Sequence, residues 1–170
     1  MTATKGCIIC FTSMLNDLFS PETISWTDFL WRIAAATLLP LSIGMERFLR
    51  RKPIDFRPFV IISVGACGLA VGAMELLVST NDTNFQMDPS RVFEGVITGI
   101  GFLGAGAMFR EGSFVQGAGS AAAIWSSGAI GLICGFGELW LATIITAIIL
   151  ILLLVSGPYT ARWDPGGDKN

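Results

Sequence analysis

Histidine is absent from the 170 residues, tyrosine occurs once, and charged side chains make up only 14% of the chain. Without imidazole, the usual zinc, haem and acid–base arrangements lose their commonest ligand and proton carrier. No nucleophile–base pair, Gly-Lys phosphate loop or metal triad takes its place, so no enzymatic chemistry and no resident cofactor are expected. Eleven basic against thirteen acidic residues leave a net charge of −2. The basic residues gather in one loop, a pattern that informs topology and gives no footprint for nucleic acid. Four cysteines are too few and too scattered for a disulfide framework. Cys7 and Cys10 form a lone CxxC, for which a packing or interfacial role stands beside a redox or metal one. Cys67 and Cys134 lie in apolar runs, where small polarisable side chains pack.

What the chain has in quantity is apolar surface, at 52% hydrophobic residues, and twenty glycines. That balance predicts an integral membrane protein. Windows suited to a hydrocarbon core of about 30 Å give spans at 28–48, 58–78, 91–109, 118–136 and 138–157. The predicted fold is therefore an all-α membrane protein with five transmembrane helices. Residues 1–27 precede this domain as an extension, interfacial or unstructured, with no secretory leader recognisable in it. Residues 28–160 form the domain and 161–170 a short tail. Arg47, Arg50, Arg51, Lys52 and Arg57 crowd the first connection, whereas the second, 79–90, carries Asp82 and Asp88 and no cation. By the positive-inside rule the first is cytoplasmic and the second external, which places the N-terminus outside and the C-terminus inside. Trp26, Trp31, Trp140 and Trp163 fall at the expected boundaries as belt anchors.

The stretch from Arg91 to Gly112, RVFEGVITGIGFLGAGAMFREG, pairs Gly95 with Gly99 as GxxxG and continues through Gly101, Gly104 and Gly106. Such a bare surface lets another helix approach closely. Gly65, Gly68 and Gly72 form a second stripe and Gly128, Gly131 and Gly135 a third. These three sets are the predicted close-packed core, while the aliphatic fifth span faces lipid. GACGLAVG (65–72) and GAIGLICG (128–135) align residue for residue, and the same offset sets Met45 and Arg47 over Met108 and Arg110. Spans one and two thus read as a hairpin duplicated in parallel as spans three and four, against the simpler reading that glycine-rich spans align easily.

The charged residues near these spans each carry two readings. Asp88 before Pro89 suits a helix N-cap, with Arg91 and Glu94 one turn apart as an internal salt bridge. The alternative is a magnesium contact at Asp88 and Glu94, since that ion accepts one or two carboxylates and keeps its waters. Glu46, Arg47, Arg110 and Glu111 end equivalent repeat helices. They either cross-pair, Glu46 with Arg110 and Glu111 with Arg47, or snorkel separately. Arg57 opens the second span, suited to lipid phosphate or a helix C-terminus. Trp125, inside the fourth span, is expected in the core.

GMER (44–47), the basic loop ending at Arg57, DPSR (88–91), GIGFLGAG (99–106), REG (110–112) and SAAAIW (120–125) together resemble the MgtC/SapB family of bacterial inner-membrane proteins, over about Leu30 to Gly137. The resemblance implies a role in growth at low magnesium and, in pathogens, in survival inside host phagocytes. Asp55-Phe56 and Pro58 depart from the family's Gly-Leu and Thr around Arg57. Ser120 keeps one of the two hydroxyls usual at its site, and Pro40, expected to kink the first span, and Glu94 are also atypical. The chain ends at Asn170, short of the cytoplasmic domain of longer members. The expected function is a binding or regulatory membrane protein whose small-residue surface docks on a membrane partner or a second copy in the bilayer. The rival is a transporter or channel for magnesium or another small solute.

Overall fold

The structure, a computed structural model, describes residues 24–50, 55–79, 88–111 and 114–160, with backbone alone at 79, 89, 109–111, 114–116 and 157–160. Five helices make up nearly all of it: α1 (Trp26–Leu49), α2 (Arg57–Ser79), α3 (Pro89–Gly106), α4 (Ala118–Gly135) and α5 (Leu139–Thr160). The fold is that of an all-α membrane protein. By length and composition α1, α2, α4 and α5 can each cross a bilayer. The fifth helix, α3, is less apolar, yet it lies along α4 from Ala121 to Phe136, with Gly104 against the first and Phe93 stacked on the second. The Cys7–Cys10 motif, the Arg51–Lys52 pair, Asp82, Trp163, the tail and the side chains of Arg110 and Glu111 lie outside the described residues.

Residue pairs across the interfaces give the directions of the helices. Arg32 and Gly44 of α1 meet Met74 and Phe56 of the α2 hairpin arm, so the first two helices are antiparallel. Ile100 beside Gly128 makes α3 and α4 antiparallel as well. Between the hairpins, Gly131 sits on Ser63 and Gly135 on Cys67 and Ala70, which sets α2 and α4 parallel. Two antiparallel hairpins with parallel second arms are the arrangement expected of the duplicated spans. Between the halves of the second hairpin, the expected plain loop is instead a small antiparallel ribbon, β1 (Phe109–Glu111) with β2 (Phe114–Gln116), in which Arg110 faces Val115. The third helix accordingly ends at Gly106 and does not reach Phe109.

Helix α4 is the hub, touching each of the other four, and it is the most buried of the apolar helices. Its close approach depends on missing side chains. A Cβ at Gly131 would collide with the Ser63 backbone, one at Gly128 with the Ile100 side chain, and one at Gly135 would stand 2.5 Å from Ala70 Cβ. Gly117, at φ 87°, begins α4 in the left-handed region and its bare Cα abuts the Ala107 carbonyl. Gly137, at φ 89°, ends the same helix in a tight turn, where the Gly137 and Glu138 amides donate to the Cys134 and Ile133 carbonyls. Around this hub Ala36, Ile43, Phe59, Cys67, Ile100, Ile124, Ile130, Cys134 and Ala142 form one core from all five helices. α1 runs unbroken through the buried Pro40. The α5 helix buries only a narrow strip around Ala142 and Thr146 and turns Trp140, Ile144, Ile148 and Ile151 outward.

The glycines of α2 and α3 behave differently from their expected role. Among the described residues a Cβ at Gly65, Gly68, Gly72, Gly95, Gly99, Gly101 or Gly106 meets nothing within 4 Å, and Gly104 makes only ordinary contact at 3.4 Å with the Ala121 carbonyl. The reason lies on the opposite side of α2, where Phe59, Ser63, Ala66, Ala70 and Ala73 form the buried stripe. Serine and alanine are already small enough for contact with α4, so the glycines fall outside the bundle. Trp125 likewise leaves the core, at 42% exposed, because the inward face of α4 is filled by Ile124, Ser127, Gly128 and Gly131.

The difference between the two glycine sets predicts opposite mutational responses. Gly131→Ala forces α2 and α4 apart and should cost about 1–3 kcal/mol, the usual penalty for overpacking. Gly68→Ala meets open space and gains helix propensity, so its melting temperature in detergent should equal or slightly exceed that of the parent. Equal melting of both variants would contradict the assignment.

Candidate functional site

At one end of the bundle the last turn of α1 buries two charges, Glu46 at 7% exposed and Arg47 at 9%. An isolated buried charge is costly and must find partners within the chain. Glu46 finds Arg50, one turn on, whose Nε pairs with Oε1. Arg50 also donates from Nη2 to the Leu154 carbonyl at 3.1 Å, tying this turn to α5. Oε2 of Glu46 has no hydrogen-bond partner among the described residues. Arg47 turns toward α4 instead, where its Nη2 donates to Ser120 Oγ at 3.0 Å while its Nε goes without a partner among the described residues. Gly119 makes room for the guanidinium, since a Cβ there would stand 3.2 Å from Nη2. Arg47 thus meets Ser120 across the α1–α4 contact. Glu46 pairs within its own helix, and the side chains of Arg110 and Glu111 lie outside the described residues.

The opposite end is held by a residue that sequence reasoning passed over. Arg32, nearly two turns into α1, donates from Nη1 to the Gly135 carbonyl at 2.6 Å, with Met74 Sδ 3.9 Å away. Its guanidinium also lies against Gly137. A cation on the last carbonyls of a helix satisfies groups with no intrahelical donor and complements the negative end of the macrodipole. Fifteen residues separate Arg32 from Arg47, about 22 Å of helix rise. Helix α1 therefore grips both ends of α4. The only sequence signal was a lone arginine inside an apolar run, where a charge demands a partner.

At the start of α3 the capping reading of Asp88 holds: its Oδ1 accepts the Ser90 amide at 2.9 Å, with Pro89 in the first turn. That bond holds the carboxyl below the usual carboxylate range, helped by nearby Arg91. The expected Arg91–Glu94 salt bridge does not form among the described residues, because both side chains extend outward from the helix, exposed. Asp88 and Glu94 do not fit a shared magnesium site. Six residues, about 9 Å of rise, separate their positions on the helix, so one ion held directly by both carboxylates would have to bridge that span. Arg57 pairs with Asp55 at 3.2 Å, so a residue that departs from the family pattern supplies its partner.

Beside these charges lies the broad bare surface of the molecule. Ile61, Gly65, Gly68, Leu69, Gly72 and Leu76 line one exposed face of α2. Gly95, Gly99 and Gly106 on α3 are exposed too, with Phe102 80% accessible among them.

A model of the MgtC family matches residues 33–162. The chain is 34% identical over 153 residues to an uncharacterised protein of Haemophilus influenzae, covering 88% of this chain and 63% of that one. It is 36% identical over 129 residues to the protein MgtC of Salmonella typhimurium, 76% of this chain and 52% of the relative. Against the protein MgtC of Brucella abortus the identity is 38% over 118 residues, 69% and 47% of the two chains. The chain thus spans about half to under two thirds of the length of these relatives. No solved structure matches.

Two measurements test the two helix-end assignments. Arg32→Gln should lower the melting temperature by the equivalent of about 1.5–3 kcal/mol, the worth of a hydrogen bond to a charged group; an unchanged value would remove the clamp. For Asp88 the folded carboxyl titrates below its unfolded value, so its contribution is complete above the unfolded pKa and is lost as pH falls through the folded one. Hydrogen exchange at the Ser90 amide should therefore accelerate on acidification through that window, beyond the intrinsic pH trend. Asp88→Asn, which caps without titrating, should abolish the excess.

Proposed function

We propose that this chain, which belongs to the MgtC family, is a multi-pass protein of the bacterial inner membrane that acts in magnesium homeostasis by docking on a membrane partner. The observation that carries this reading is the pair of bare faces on α2 and α3. Seven glycines there have open space where a side chain would stand. In lipid there is no hydrophobic drive to bring helices together, and close backbone approach over small residues is the main device for association. α4 spends its glycines on its own bundle; α2 and α3 keep theirs available. The exposed Glu94 and Arg91 at the rim of this surface give a partner something polar to recognise. Docking of this kind alters a partner's activity without chemistry of its own, and no catalytic step is assigned to the chain. The magnesium context comes from the family resemblance. Orientation follows the basic first connection, with the N-terminus outside and the C-terminus cytoplasmic.

The test sets docking against conduction. In liposomes loaded with a magnesium indicator, the purified protein should pass no more ion than empty vesicles. In cells, a photo-crosslinker at Thr98 should capture a membrane protein, and Gly99→Leu should abolish both that capture and growth at low magnesium. Ion flux that disappears on Glu46→Gln would overturn the docking reading in favour of a transporter.

A further inference from the structure

The N-terminal end of α4 has an electrostatic problem that its own residues leave unsolved. The first amides of a helix have no intrahelical acceptor and carry the positive end of its dipole. A serine, threonine, aspartate or asparagine side chain normally answers them. Here the capping residue is Gly117, which offers no side-chain bond. Across from those amides stands not an acid but the buried guanidinium of Arg47, 3.0 Å from Ser120 Oγ and directly over the bare Cα of Gly119. Its neighbour Glu46 is taken up by Arg50, and no carboxylate lies within ion-pair distance of Arg47 among the described residues. Among the described residues, therefore, a buried cation and a helix N-terminus face one another with no carboxylate paired to either.

We infer that the start of α4, with Arg47 and Ser120, binds an oxyanion of the phosphate class, either a free phosphate or the phosphate of a lipid headgroup. The parts are those such a ligand requires. The Ala118, Gly119 and Ser120 amides point out of the first turn, as at other helix N-termini that hold phosphate. Arg47 presents a planar donor fork suited to two oxygens, with its Nε unpartnered among the described residues. Ser120 accepts from Arg47, which leaves the hydroxyl proton free to donate. Ala118 and Gly119 are exposed, so the ligand enters from the membrane surface without moving a helix. Bound there, the anion neutralises Arg47 and caps α4 together, coupling occupancy to the α1–α4 contact at that end. The site makes no use of the α2 and α3 glycine faces, and it stands or falls apart from the docking function.

The experiment uses the full chain, delipidated in a phosphate-free maltoside detergent. In one arm inorganic phosphate is titrated while the melting temperature is followed, with sodium chloride matched in ionic strength. In the other, native mass spectrometry counts retained phosphatidylglycerol. Saturable stabilisation by phosphate, weakened at least about tenfold in Arg47→Gln as expected for a lost charged hydrogen bond, assigns free phosphate. Silence to phosphate with a lipid adduct lost in the same variant assigns the headgroup. Should Arg47→Gln fail to fold, Gly119→Val decides, because it crowds the guanidinium and the amides from an exposed position and should give the same loss. Asp88→Asn, at the end of α3 that lies by the opposite end of α4, should leave either signal intact. Binding of neither probe, or binding untouched by both Arg47→Gln and Gly119→Val, overturns the inference. So does phosphate binding that appears only in Glu111→Gln, since Arg47 would then have its counter-ion within the chain.

Discussion

The whole bundle depends on backbone-to-backbone contact between α2 and α4 at Ser63 and Gly131. Among the described helix glycines none lies closer to the main chain of another helix, and the contact is possible only because one helix has no side chain there and the other has a small one. In water, burying larger apolar groups would do as well; in a bilayer, lipid already solvates those groups and the gain must come from packing. Once α4 is seated against α2, its other faces are committed. Ile100 of α3 fills the space over Gly128, Cys67 and Ala70 lie on Gly135, and α1 covers the remaining side.

Seating a helix in the centre of a membrane bundle moves its two ends away from water, and their unpaired backbone groups become expensive. The structure meets this with one neighbouring helix. Arg32 answers the carbonyl end directly. Arg47 reaches the amide end with the wrong sign of charge and is held by a hydroxyl. The two arginines thus differ in kind: one closes its end of α4, and the other is paired with no carboxylate among the described residues.

Much of this was legible in the sequence, and what was not has physical causes. Helix number, boundaries within a few residues, the two antiparallel hairpins and the Asp88 cap followed from apolar run length, glycine spacing and local capping chemistry, all of them properties of contiguous residues. The orientation of each stripe was not legible. Gly65–Gly68–Gly72 and Gly128–Gly131–Gly135 are alike in sequence, but α2 offers a second small stripe, Ser63, Ala66 and Ala70, on its other side. Nothing local decides which of two small faces a helix buries; the partner does. The Arg91–Glu94 pair was misread for a related reason, since spacing brings two side chains to neighbouring turns without obliging them to meet. Arg32 was missed because its partner is a backbone carbonyl more than a hundred residues away, which no motif can show.

The choice made by α2 breaks the symmetry of the duplication. Were the two hairpins used alike, Gly65, Gly68 and Gly72 would be as buried as their counterparts, and α3 would press on α2 as firmly as α1 presses on α4. It does not, and α3 stays at the edge of the bundle with Phe102 and Glu94 turned out. Two aligned glycine stripes, of which only the one on α4 is used inside the bundle, leave the other as a spare surface among the described residues. Glycine in a helix interior carries an entropic cost of its own relative to alanine, roughly 0.5–1 kcal/mol per residue. Seven such positions on the faces of α2 and α3 carry that cost with no close contact to answer it among the described residues. A helix that docks there would supply the missing compensation, because close approach to exposed glycines is the gain those residues forgo within the single chain.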